Sequence, residues 1–110
     1  DLAMTTDGEL VNIDGNGNRC AAMIYGPKQV IVIAGLNKVT GNLHSAIDRA
    51  HTTAAAINIQ RFGAKTPCAS TGVCANCNLA DTICNYIVVT RRSKPAKKIK
   101  VILVGEDIGF

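Results

Sequence analysis

Val30-Ile31-Val32-Ile33-Ala34 is a continuous, mostly β-branched run bounded by Gly26-Pro27 before it and Gly35 after it. A run without polar alternation reads as a strand buried on both faces, which is the habit of parallel sheets. Parallel strands need crossover connections, usually helical, so helices are expected elsewhere in the chain. The stretch from about Asn42 to Arg61 supplies one. Its apolar positions Leu43, Ala46, Ile47, Ala50, Ala54 and Ile57 advance in steps that place one stripe on one face. Asn42 suits the N-cap, and Gly63 suits the stop. Together the two signals give an α/β protein.

The flanking segments extend the pattern. The first stretch reads as a strand and a turn, with Asp7-Gly8 as the turn signal and Leu10-Val11-Asn12-Ile13 as a short strand. Cys20 to Tyr25 reads as a short helix that stops before Gly26-Pro27, and Gly35 to Val39 as a loop. Residues 64–85 read as an irregular loop. Ile87-Val88-Val89-Thr90 and Lys98 to Val104 read as strands, and the short basic stretch between them predicts an antiparallel pair.

Composition limits the function classes. Of 110 residues, 47% are hydrophobic and 18% charged, so disorder is excluded. Aromatics are 4% and Trp is absent, so the core is aliphatic. The formal charge of +4 owes much to Arg91, Arg92, Lys94, Lys97, Lys98 and Lys100. That stretch has no aromatic stackers beside it, which argues against a nucleic-acid partner. No segment approaches the roughly 18 apolar residues of a spanning helix, and no signal peptide is visible. The first residues are Asp1-Leu2-Ala3 rather than an initiator Met, so an upstream segment is expected.

The strongest chemical signal is Cys68, Cys74, Cys77 and Cys84, spaced C-x5-C-x2-C-x6-C. Four thiolates in one loop match the ligand count of structural zinc and of most iron–sulfur clusters. Cys74-Ala75-Asn76-Cys77 has the spacing by which two sulfurs grip one metal. The outer spacings are neither those of a zinc ribbon nor those of a ferredoxin, so the pattern names a metal but not which one. Two disulfides, a redox dithiol or plain free thiols compete with it. An α/β chain of cytosolic type disfavours disulfides, and the C-x-x-C does not open a helix after a strand, as the redox motif requires. Cys20 lies apart and reads as a small buried hydrophobe.

Three weaker constellations stand beside it. Asp14-Gly15-Asn16-Gly17-Asn18-Arg19 precedes a helix. Its glycines let backbone amides approach an anion, and Arg19 adds a bidentate donor; an ordinary strand-to-helix turn explains it as well. His44, Asp48 and His51 fall on one helix face, as a metal or acid–base set or, more commonly, as a solvated face. Glu106 and Asp107 follow the last strand, where α/β proteins often bind ligands. No Ser–His–Asp or Cys–His set is assembled.

The strings Asp7 to Arg19, Val30 to Lys38, Lys65 to Asn85 and Ile102 to Phe110 resemble the LUD (lactate utilisation) domain family, in its short bacterial branch with a four-cysteine loop. The resemblance covers nearly the whole chain; Cys20 and Gly41 depart from it. It implies that residues 1–110 form the C-terminal part of a single LUD domain, with the cysteine loop at 65–85. The implied fold is a Rossmann-like three-layer sheet similar to the sugar-phosphate isomerase and CoA-transferase superfamily, where the glycine loop lies near the ligand. The implied role is accessory or electron-transferring in cytoplasmic lactate or 2-hydroxy-acid oxidation, beside iron–sulfur and FAD-type subunits. That role favours an iron–sulfur cluster over zinc on Cys68, Cys74, Cys77 and Cys84. The alternative it leaves is an enzyme domain that binds a small anionic metabolite through Gly15, Asn16, Gly17, Asn18 and Arg19, with zinc as a staple. The implied partners are the N-terminal half of the domain, a second chain, or another copy of this one.

Overall fold

The computed structural model describes residues 1–110 as a mixed α/β fold. Strand β1 (Leu2–Thr5) and strand β2 (Leu10–Asp14) form an antiparallel hairpin, with Leu2 opposite Asn12. The turn between them closes where the Thr5 amide donates to the Glu9 carbonyl at 2.9 Å. Helix α1 (Asn18–Tyr25) follows, then β3 (Val30–Gly35), a 3-10 turn at Leu36–Lys38 and the short β4 (Val39–Thr40).

Residues 43–61 wind as one long helix, α2. It begins in α geometry at Leu43–Asp48, widens to π geometry over Arg49–Ala55, and tightens to a 3-10 turn at Ile59–Arg61. Asn42 caps it as expected, its side chain accepting from the Ser45 amide at 2.8 Å. A one-turn helix α3 (Pro67–Thr71) interrupts the loop that was expected to be irregular throughout. Strands β5 (Tyr86–Thr90) and β6 (Ile99–Val104) complete the chain.

The strands make two sheets. One has four strands in the order β4-β1-β2-β5; the other has only β3 and β6. The expected β5–β6 hairpin does not form. Instead β5 runs antiparallel to β2, with Leu10 opposite Thr90 and Asp14 opposite Tyr86. Strand β6 runs parallel to β3, with Val30 opposite Ile99 and Gly35 opposite Val104. The eight residues between the strands span up to about 26 Å when extended, enough to step from one sheet to the other.

The core sits between the four-stranded sheet and α2. Ala3, Val11 and Ile13 meet Ala46 and Ala50, with Leu43, Ile47, Cys84 and Val89 packed around them. Alanines on the helix let it approach the sheet closely, and every residue of β2 is buried. The β3–β6 pair is different. The sequence reads β3 as buried on both faces, yet Ile31 and Ile33 are 58% and 63% exposed. Ile102 and Leu103 beside them are half exposed as well. The run pairs in parallel as expected, but only Ala34 and Gly35 are fully buried, Val30 and Val32 being half-buried. At Gly35 the fit is so close that a Cβ would stand 2.5 Å from the Ile108 nitrogen. This packing holds the segment after β6 against the end of β3, where the Ile108 amide donates to Asn37 Oδ1 at 3.2 Å.

Candidate functional site

The glycine loop joins β2 to α1, and its centre is Asp14. This carboxylate ends a buried strand and is itself 6% exposed. Its Oδ2 accepts from the Arg19 amide at 3.0 Å and the Cys20 amide at 3.1 Å. Gly17 stands at the N-cap with φ 76, a left-handed value, and its missing Cβ would meet the Tyr86 ring at 3.2 Å. The Arg19 guanidinium folds back, Nη2 donating to the Ile13 carbonyl at 2.8 Å. The helix N-terminus therefore holds an internal carboxylate. An external anion at this loop would be met by side chains rather than by the amides of Arg19 and Cys20.

Burial alone would raise Asp14, but the amides of Cys20, Gly17 and Arg19 and the Arg19 charge outweigh it, and the carboxyl sits below its ordinary range. A folded pKa lower than the unfolded one gives stability that is present above the unfolded value and lost as pH falls through the folded one. Thermal melts should therefore show the wild type losing stability below about pH 4, with a flatter acid limb in Asp14→Asn. Asp14→Ala should cost about 1–3 kcal/mol at neutral pH, because it strips the cap and leaves buried amides unpaired. Cys20 behaves as the sequence implies. It is 4% exposed, and burial, then the neighbouring Asp14, raise its thiol.

The cysteine loop lies against the glycine loop. Asn85 Nδ2 donates both to the Gly15 carbonyl at 3.0 Å and to the Thr82 carbonyl at 3.1 Å. The loop's other end is fixed by Gln60, whose Nε2 donates to the Cys68 carbonyl at 2.9 Å, and by the Lys65 amide, which donates to Asp81 Oδ2 at 2.9 Å. Cys68, Cys74, Cys77 and Cys84 are all half-buried free thiols. The Thr66 hydroxyl lies 3.4 Å from Cys68 Sγ, and the Asn76 amide donates to Cys74 Sγ at 3.4 Å. Asn76 takes a left-handed φ of 50, which turns that amide back onto the sulfur inside Cys74-Ala75-Asn76-Cys77.

Burial is the main cause that raises the Cys84 thiol; the Thr82 hydroxyl opposes it, and Cys74, Cys68 and Cys77 add to it. No three His, Cys, Asp or Glu side chains meet at metal-ligand geometry anywhere in the chain. The fit to a metal is therefore one of donor chemistry and sequence spacing, not of a closed cage. His44 and Asp48 lie exposed on α2, away from the cysteines in sequence and in no such group. Glu106 and Asp107 are exposed after β6, and the Glu106 carbonyl accepts from the Leu36 amide at 3.3 Å.

Between the two loops opens a cavity of about 670 Å³. Gly15, Asn16 and Arg19 border it from one side, Thr82, Ile83 and Asn85 from another, and Asn58 and Arg61 from the end of α2. The sequence singled out the first set. It missed Asn58 and Arg61, for which only their shared helix face gave a signal, and it named Asp14 without the inward role.

No helix of the chain is long and apolar enough to cross a membrane. Comparison with curated proteins and with solved structures returns no match to this chain. A family model does match. The LUD domain model covers residues 1–104, nearly the full length and all of the elements described above. By that match, the chain belongs to the LUD domain family.

Proposed function

We propose that this chain serves in lactate or related 2-hydroxy-acid utilisation as an accessory or electron-transfer module, with a metal centre on Cys68, Cys74, Cys77 and Cys84. Membership of the LUD family supports the lactate-related role. The observation that supports the metal reading is the placing of four free, half-buried thiols on one loop that is hydrogen-bonded at both ends to neighbouring elements. An iron–sulfur cluster is favoured over zinc because the role is redox; when bound it supplies one-electron transfer, whereas zinc supplies a structural staple. In either case the Asn76 amide and the Thr66 hydroxyl stabilise thiolate charge at Cys74 and Cys68. Reduced thiols fit a cytoplasmic setting.

The exposed isoleucines of β3 support a further part of the reading. Parallel strands are ordinarily covered on both faces, so we take the β3–β6 pair as part of a larger Rossmann-like sheet. The N-terminal half of the domain, or a partner chain, would complete it.

The cavity bordered by Gly15, Asn16 and Arg19, though not by Gly17 and Asn18 of the same loop, favours a second reading, a CoA-transferase-like domain that binds an anionic metabolite and uses zinc as a staple. Complementation separates the two. In cells deleted for the gene, growth on L-lactate should be restored by the wild type and by R61Q, but not by a Cys74→Ser/Cys77→Ser variant. Equal rescue by the double variant would remove the cysteines from the function.

A further inference from the structure

A second cavity, of about 490 Å³, opens at the other end of the strands. Strand β5 starts opposite Asp14 and ends opposite Leu10, so its far end lies about 14 Å along the sheet from the glycine loop. There the chain leaves the four-stranded sheet and crosses to β6 in the other one. The cavity lies between the end of β5, the start of β6 and the end of α1. Arg91, Arg92, Lys94 and Lys98 border it, and no Asp or Glu does.

Hydrogen bonds hold the crossing segment in shape. Ser93 Oγ accepts from the Ile99 amide at 3.1 Å and donates to the Pro95 carbonyl at 2.9 Å. The Lys98 carbonyl accepts from the Val30 amide at 2.7 Å. Lys98 itself is 8% exposed. Its Nζ donates to the Ile24 carbonyl at 2.9 Å, near the end of α1. That bond uses one of three ammonium donors and supplies no opposing charge. A buried cation without a counter-charge is costly, so an anion in the cavity would stabilise it. Arg91, Arg92 and Lys94 are exposed, their donors free for a ligand.

The wall facing these cations is aliphatic, with Met23 and Ile24 at the end of α1, Val88 on β5 and Ile99 on β6. No aromatic ring borders the cavity, so it offers a nucleotide base no stacking platform. Four cations exceed what one carboxylate balances. A phosphate ester carries about two charges near neutral pH, and its oxygens match the arginine fork. We infer that this cavity binds a phosphorylated aliphatic molecule, a phosphate or diphosphate head on a chain of several carbons. Arg91, Arg92, Lys94 and Lys98 hold the head, and the aliphatic wall takes the chain. The site shares no residue with the cavity beside the cysteine loop, so it stands independently of the metal and lactate readings.

The test is a set of NMR titrations of the purified protein, following backbone amides. The probe is isopentenyl diphosphate; pyrophosphate removes its chain, and 3-methylbut-3-en-1-ol removes its charge. The probe should shift Ile24, Val88 and Ile99 and leave Gly15 and Asn85 in place. It should bind about tenfold tighter than pyrophosphate, and the alcohol should shift nothing. R91Q/R92Q, at two exposed positions, should weaken the probe about tenfold or more while the fold and the metal content stay unchanged. Co-sedimentation with phosphatidate vesicles separates a lipid-borne head from a free one. Capture there with a silent free probe, and less capture by phosphatidylserine vesicles of equal charge, assigns the head to a lipid. Equal capture by both vesicles with a silent free probe would overturn the inference, because charge alone then suffices. Pyrophosphate binding as tightly as the probe, shifts confined to Gly15 and Asn85, or no shift and no capture would overturn it too.

Discussion

The wild type should purify with a full complement of metal, and the Cys74→Ser/Cys77→Ser variant without any. Hydroxyls at these positions cannot supply thiolate charge, and two remaining sulfurs do not make a stable tetrathiolate site. The binding free energy of four-ligand structural sites is on the order of 10 kcal/mol and is coupled to folding of the segment that holds them. Loss of two ligands should therefore loosen the loop as well as empty it. Amide exchange in residues 65–85 should rise steeply, while β1, β2 and α2 keep their protection, because the core at Ala3, Val11 and Ala50 needs no sulfur ligand. Retention of metal by the double variant would place the site elsewhere.

The second large effect lies in the core. Ile59→Ala should destabilise the chain by about 2–5 kcal/mol, the cost of a buried isoleucine replaced by a residue that leaves a cavity. Ile59 is 1% exposed and opens the final 3-10 turn of α2, one residue after Asn58 and two before Arg61. Urea denaturation gives the stability. A loss below about 1 kcal/mol would show that this turn packs less tightly than described.

Several of these features were legible in the sequence because local chemistry dictates them. The steps of the apolar residues from Leu43 to Ile57 and the cap at Asn42 fix α2, and the Asp-Gly turn fixes the hairpin before β2. The four cysteines announce themselves by type and spacing. What the sequence did not show depends on distant partners. Strand β5 pairs with β2 because the edge of the hairpin lies open to it along five residues, and no local rule distinguishes that edge from β6. Strand β3 carries an apolar run suited to cover on both faces, but Ile31 and Ile33 stand exposed in the fold. Asp14 reads as one more turn former until the helix after it is seen to point its amides at the carboxylate. Asn58 and Arg61 read as the polar end of a helix, and only the fold brings them to the same space as Arg19.

The most direct test of the central claim is metal analysis with a visible absorption spectrum on anaerobically purified protein. Iron near four per chain with a broad band around ~400 nm is the expected result and identifies a four-iron cluster. About one zinc per chain without colour would keep the four-thiolate centre but give it a structural role. Four titratable thiols with neither metal would contradict the account.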